Sequence, residues 1–323
     1  MGRLFSRFLG KNFFVGLSKH TPYRNDDWFA IGIALFHAAF TGAYAVLVNR
    51  GTQNIPPLHF AALTALVAAV TMAFFVVAQR AFADFRERRA LKPVSMVTLF
   101  IIIIPFVLFF LGAQRTSGLN TSMLLLAEVP FTLVFTHFIG ERTDRFKIAG
   151  GVGIFLGALF VLYNGTLQFN WGDLLIILST ACYPIGNLFT RKALHLLRPA
   201  SLLFLRSLAG GVFLFASARI VEPDAQPLML LRDYWPYFLF TGVAMMGVVK
   251  LLWHISFQRM DISKAISLVH TFPLFSLVLL LAIFHESISL YQWIGIGMML
   301  VGVFFTLRRP SVNINATKYA AES

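Results

Sequence analysis

Cysteine is nearly absent from this sequence, and charge is scarce. Cys182 is the single thiol among 323 residues, and Asp, Glu, Lys and Arg together make up 13%. One thiol excludes an intramolecular disulfide and a dithiol redox centre. A charged fraction about half of the roughly 25% usual in soluble domains excludes an ordinary soluble globule. No Walker-type glycine loop occurs, so ATP-driven work by this chain alone is not expected. No aspartate lies deep in an apolar run, and no His/Asp-rich loop is present. That argues against an intramembrane enzyme. His37, His254 and His270 lack the spacing of a metal ligand set, so neither metal nor cofactor is expected. No long polar stretch is available for a sensor or scaffold domain.

What is abundant is apolar surface. Hydrophobic residues make up 58% of the chain, and mean hydropathy is +0.74. A helix of about 20 apolar residues crosses the hydrocarbon of a bilayer. Ten such runs are legible, at 28–48, 58–79, 94–113, 119–138, 148–164, 172–190, 202–218, 235–257, 262–284 and 291–307. They fall into two copies. Gly150, Gly157 and Phe160 align with Gly295, Gly302 and Phe305 when Glu141 is placed on Glu286, while Trp28 and Pro56 align with Trp171 and Pro199. Five spans per copy is an odd number, so the second copy enters the membrane from the opposite side. The expected fold is an all-α membrane protein of ten transmembrane helices in two inverted five-helix repeats, with both termini cytoplasmic. Residues 28–165 and 171–308 form the repeats, 1–27 a basic N-terminal arm and 309–323 a tail. The arm is either a basic amphipathic segment on the inner leaflet or an unstructured positive arm.

The net charge of +13 fits this topology. Of the 27 Lys and Arg, the inner loops and termini hold 21. The outer loops hold Arg50, Arg115, Arg219 and Arg232, and only Arg206 and Lys250 fall within spans. This is the positive-inside asymmetry, so the basic balance reports orientation and not nucleic-acid binding. The second inner loop, QRAFADFRERRALKP, reads as a short helix ended by Pro93. The prolines of the 7–8 loop argue against continuous helix.

Two stretches carry a family resemblance: "LVHTFPLFSLVLLLAIFHESISLYQWIGIGMMLVGVFF" and its first-copy partner "LLAEVPFTLVFTHFIGERTDRFKIAGGVGIFLGALFVLY". The chain resembles the drug/metabolite transporter superfamily, in its EamA-type ten-helix branch, over roughly residues 28–308. Arg206 matches an arginine common in the second helix of a repeat in that family; the first copy has Leu63 there. The resemblance implies that spans 1–4 and 6–9 surround a central cavity, with spans 5 and 10 outside it. It also implies transport of metabolites such as amino acids, sugars or nucleotide derivatives.

Ionisable groups inside a membrane are costly and mark function by default. Glu128 lies mid-span, two residues before Pro130. His270 sits three before Pro273, near the pseudo-symmetric position, in a stripe with Ser263 and Ser267. Lys250 and His254 share a face, with Trp253 beside them; their first-copy counterparts are Phe106 and Phe110. His37, Thr41 and Tyr44 form a stripe on span one, and Ser179, Tyr183 and Asn187 its counterpart on span six. The candidate substrate-binding residues are therefore Glu128, Lys250, His254, His270, Trp253, His37, Tyr44, Tyr183 and Asn187. Lys250 suits a carboxylate, Glu128 an amine or a proton, and the aromatics a flat or apolar part. The alternative is that Glu128 and Lys250 neutralise each other structurally. Arg206 either lines the path or snorkels to the headgroups. Glu141 and Glu286 read as favouring the N-termini of spans 5 and 10, with Ser289 and Gln292 as a capping box. The small residues Gly153, Gly157, Gly295, Gly297 and Gly302 serve internal packing or a dimer contact.

The expected function is secondary transport of small metabolites by alternating access, with amino acids or similar zwitterions as cargo and protons as a possible coupling ion. The alternative cargo is a nucleotide-like or cationic metabolite. Expected partners are the substrate and the lipid bilayer of a prokaryotic inner membrane, with the chain a monomer or homodimer.

Overall fold

The protein, seen in a computed structural model, is described here over residues 28–138, 145–163, 170–257 and 268–307. Every regular element among these residues is helical. The main helices are α1 (Trp28–Gly51), α2 (Pro57–Ala78), α3 (Arg88–Gln114), α4 (118–138), α5 (Arg145–Tyr163), α6 (Trp171–Leu194), α7 (Pro199–Val221), α8 (235–257), α9 (Phe272–Ala282) and α10 (Leu290–Leu307). Seven of them, α1–α4 and α6–α8, are long and apolar enough to cross a membrane, and α5, α9 and α10 carry shorter apolar stretches. The N-terminal arm, the tail, Glu141, Ser263 and Ser267 lie outside the described residues.

Local chemistry explains where these helices start. Pro57 and Pro199 open α2 and α7, positions where the missing N–H costs nothing. Ser117 caps α4 by accepting from Asn120 N at 3.1 Å. Asn170 caps α6 by accepting from Gly172 N at 2.7 Å. The expected capping box opens α10: Gln292 N donates to Ser289 Oγ at 3.2 Å, and Ser289 N to Gln292 Oε1 at 3.0 Å. Pro93 differs from expectation. It lies in the first turn of the α-helical segment Leu91–Val97 and so helps to start α3; the loop before it folds as two short 3₁₀ turns, Ala81–Arg86 and Arg88–Ala90.

Interruptions fall just ahead of prolines, which lack the N–H that would bond the carbonyl four residues back. In α4 a 3₁₀ turn, Leu124–Ala127, precedes Glu128 and Pro130. A turn at His270 and Thr271 precedes Pro273. Helix α6 breaks at Cys182, two residues before Pro184. Helices α3 and α8 contain π-helical segments at matching places, Thr98–Ile103 and Leu239–Val249. A π segment rotates the register of the helix downstream of it, and the first residue after the second segment is Lys250.

The two copies are related by contacts that cross between them. Helices α5 and α10 run antiparallel: Phe146 stacks on Phe305 at 6.5 Å, and Tyr163 meets Tyr291 edge-on at 5.2 Å. Between these pairs the backbones touch. A Cβ on Gly157 would lie 2.6 Å from the Gly295 carbonyl oxygen, one on Gly295 equally close to that of Gly157, and one on Gly302 2.6 Å from that of Gly150. Exchanging the copies maps the first contact onto the last, as a two-fold axis requires. The α5 and α10 glycines named in this contact are thus used in packing within the chain. Helices α2 and α7 also run antiparallel and cap each other. Glu222, just past α7, accepts from Leu58 N and His59 N at 2.9 Å. Asp84, past α2, accepts from Arg198 N at 3.1 Å and Ser201 Oγ at 2.6 Å. Each carboxylate meets the positive end of the other helix.

The first helix of each copy is exchanged. Helix α1 packs on α8 and α9, and α6 on α3 and α4. Ser256 Oγ donates to Ala30 O at 2.8 Å and Ser276 Oγ to Gly42 O at 3.2 Å. The apolar interior includes Phe60, Phe110, Leu124 and Phe238, all fully buried. Large apolar side chains also cover the outside, among them Val70, Phe74, Phe155, Val212, Phe213, Val278 and Phe304. An exterior of this kind suits lipid and not water.

Candidate functional site

Hydrogen bonds, ring stacking and electrostatic interactions link the nine residues singled out in the sequence. Helix α1 supplies His37 and Tyr44. The His37 ring stacks on Trp253 of α8, with centroids 4.8 Å apart and planes 26° from parallel. Thr41 Oγ1 donates to His37 O at 2.8 Å and lies 3.4 Å from Nδ1. His37 Nε2 and the Tyr44 hydroxyl are buried without a protein partner among the described residues. The Tyr44 ring stacks on Phe109 at 6.0 Å.

Glu128 opens the second part of α4 directly after the 3₁₀ turn, and its Oε1 accepts from Asn187 Nδ2 on α6 at 3.2 Å. Its charge interacts with His270 and Lys250, and Tyr183 of α6 lies within its field. Lys250 interacts in turn with Arg206 and Glu128. Glu128 and Lys250 nevertheless make no contact ion pair among the described residues, so the geometry does not support mutual neutralisation. His254 Nδ1 lies 2.7 Å from the Lys250 carbonyl, one turn back on α8. Glu128 and Lys250 are half-buried and Asn187 is exposed.

Arg206 is the residue for which the sequence left two readings open. It is 3% exposed on α7, and its Nε has no partner. Its electrostatic neighbours are Tyr183, Lys250 and His254. The side chain therefore joins the cluster and does not snorkel outward. The counterparts of these groups in the first copy are apolar and packed: Leu63 is 4% exposed, Phe106 3% and Phe110 0%. The scaffold is duplicated, but the polar load is confined to one arrangement.

One end of the body is tied by a second polar network. Arg50 Nη2 donates to Glu286 Oε2 at 3.1 Å, and Glu286 Oε1 accepts from Leu119 N at 3.3 Å. Glu286 thus serves the N-terminus of α4, not that of α10 as its sequence position suggested. Asn49 Nδ2 donates to Ala113 O and Thr116 O at 2.7 and 2.8 Å. Asp173 accepts from Thr116 Oγ1 at 2.5 Å and from Asn120 Nδ2 at 3.1 Å. Two clefts of about 560 and 400 Å³ open on this end. They are bordered by Gln114, Arg115 and Glu222 and by Arg50, Ser117 and Glu286, and neither is lined by a residue of the central cluster. Sequence reasoning missed Asp84, Asp173 and Glu222. Each stands just past an apolar run or one turn into it, yet the helix it serves is remote in sequence.

Comparison with known proteins gives a consistent result. The model of the EamA-like transporter family matches residues 28–163 and again 170–308. An uncharacterized transporter of Bacillus subtilis, YoaV, is 23% identical over 275 residues, covering 83% of this chain and 94% of that protein. A probable amino-acid metabolite efflux pump of Escherichia coli is 22% identical over 290 residues, covering 85% and 93%. A crystal structure superposes with a TM-score of 0.64 at 18% identity, over 90% of this chain and 98% of the other, which shows a shared fold.

Proposed function

The chain belongs to the EamA-like transporter family, a multi-pass membrane transporter of the drug/metabolite superfamily, and from that premise we propose that it moves amino acids or similar zwitterions by alternating access. Ten spans form two inverted halves, with both termini on the cytoplasmic side of a prokaryotic inner membrane. The halves rock about the central cluster, which each side of the membrane reaches in turn. Coupling to protons runs through Glu128.

The observation that carries this reading is the convergence of unpaired charges from both halves in an apolar body. Glu128 comes from α4, Lys250 from α8, and neither neutralises the other by contact. Separated opposite charges match a cargo with an amine and a carboxylate. The His37–Trp253 stack and the Tyr44 and Tyr183 rings offer surfaces for its flat or apolar part. The similarity to a probable amino-acid metabolite efflux pump points the same way. A cationic cargo would use Glu128 and leave Lys250 without a partner.

The test is counterflow in liposomes holding the purified protein, with labelled amino acids, nucleotide derivatives, sugars and polyamines. Exchange of labelled amino acids, competed by unlabelled ones, is expected. Exchange of polyamines or sugars alone would refute the cargo, and exchange of no member would refute transport of these classes.

A further inference from the structure

We propose that the guanidinium of Arg206, with the ammonium of Lys250 beside it, is the docking subsite for a cargo carboxylate. The inference rests on the transport reading above and adds to it a polarity and an anchor. Arg206 enters α7 two turns from its N-terminus and is buried, and among the described residues no oxygen accepts a hydrogen bond from it. A guanidinium has five donors and does not lose its proton. Burying it without an anion is costly, and among the described residues none pairs with it: Glu128, the one carboxylate of the cluster among these residues, is engaged by Asn187.

The neighbours define a direction. Lys250 interacts with both Arg206 and Glu128, whereas Arg206 faces Tyr183, Lys250 and His254. Arg206 and Glu128 thus share Lys250 and Tyr183 as neighbours, one at either side of them. A carboxylate at the Arg206 end leaves the amine of the same molecule at the Glu128–Asn187 end. Among the described residues two cations face one carboxylate, and the carboxylate of a cargo offsets the surplus positive charge.

The duplicated scaffold supplies an internal control. At the position equivalent to Arg206 the first copy has Leu63, and at that of Lys250 it has Phe106; both pack in the hydrophobic core. The helix packing of this fold is satisfied by apolar residues at these places. The two cations answer to something other than packing.

The test uses purified protein and three matched probe sets: L-leucine, L-phenylalanine and L-threonine, each with its decarboxylated amine and its deaminated acid. Binding is read by competition and by thermal shift, in the wild type and in Arg206→Met and Arg206→Lys. Amino acids and deaminated acids are expected to bind the wild type, with the amines at least about tenfold weaker. Arg206→Met is expected to lose about tenfold or more for the carboxylate probes while its ligand-free melting temperature stays near wild type, and Arg206→Lys to recover part of the affinity. Amines that bind as tightly as the amino acids overturn the subsite, as does an Arg206→Met protein that binds deaminated acids like the wild type. Either result leaves transport standing. A wild type that exchanges no member of the wider counterflow panel removes the transport reading and this subsite together.

Discussion

Glu128 and Asn187 lie 59 residues apart in sequence, and their side chains meet at 3.2 Å across the boundary between the two halves. The contact joins an acid just after a 3₁₀ turn in α4 to an amide on the second part of α6, past the break at Cys182. Both helices are irregular where the contact forms, because Pro130 and Pro184 each remove a backbone bond one turn earlier. Irregular backbone at membrane depth is tolerated where it lines a cavity.

If Glu128 carries the coupled proton, transport by the wild type varies with pH and transport by Glu128→Gln does not. The glutamine oxygen still accepts from Asn187, so folding is preserved. Proteoliposome uptake across a pH series checks this; an unchanged pH profile in the variant would rule out proton coupling through Glu128.

Lys250→Met is expected to weaken transport of carboxylate-bearing cargo by about tenfold or more and to spare any carboxylate-free cargo. Uptake of paired substrates reads the difference. Equal loss for both kinds would assign Lys250 to structure instead.

The α5–α10 contact predicts a contrast between neighbouring glycines. A Cβ at Gly295 meets backbone at 2.6 Å, whereas one at Gly297 meets nothing within 4 Å. Gly295→Ala should therefore destabilise by about 1–3 kcal/mol, and Gly297→Ala should leave the thermal unfolding midpoint in detergent unchanged or slightly raised. Similar midpoints for both variants would contradict the packing described.

The reciprocal caps predict matched losses. Glu222→Ala removes the acceptor of two α2 amides and Asp84→Ala that of the Arg198 amide just before α7 and of the Ser201 hydroxyl. Each should cost about 0.5–2 kcal/mol, and hydrogen exchange should rise at the amides of Leu58 and His59 in the first variant and of Arg198 in the second. Exchange unchanged at these amides would deny the carboxylates a capping role.

Much of this fold is legible in the chain because long apolar runs separated by prolines and charges permit few alternatives. Helix α8 begins where its hydropathy does, and the glycines of "AGGVGIFLGALF" and "IGIGMMLVGVFF" announce both a repeat and a close contact. The cluster was legible too, because a charge in an apolar run is rare enough to be noticed singly. What stayed hidden depends on which remote segment a residue meets. Glu286 precedes α10 and looks like its electrostatic partner, but the fold turns it to Arg50 and Leu119, 236 and 167 residues away. Arg206 is close enough to a helix end that one-dimensional reasoning allows it to reach the headgroups; only the packing of α7 against α2 and the neighbouring Tyr183 and Lys250 keep it inside. The exchange of α1 and α6 between halves leaves no local mark at all, since it is a property of how the copies interlock.

The central claim is that one cluster is reached in turn from both sides of the membrane. The sole cysteine makes the measurement clean: Asn187→Cys is placed in a Cys182→Ser background, and a membrane-impermeant maleimide is applied to sealed vesicles from either face. The account predicts labelling from both faces, with cargo shifting the ratio between them. Labelling from one face only, with and without a cargo that the same protein exchanges, would contradict it.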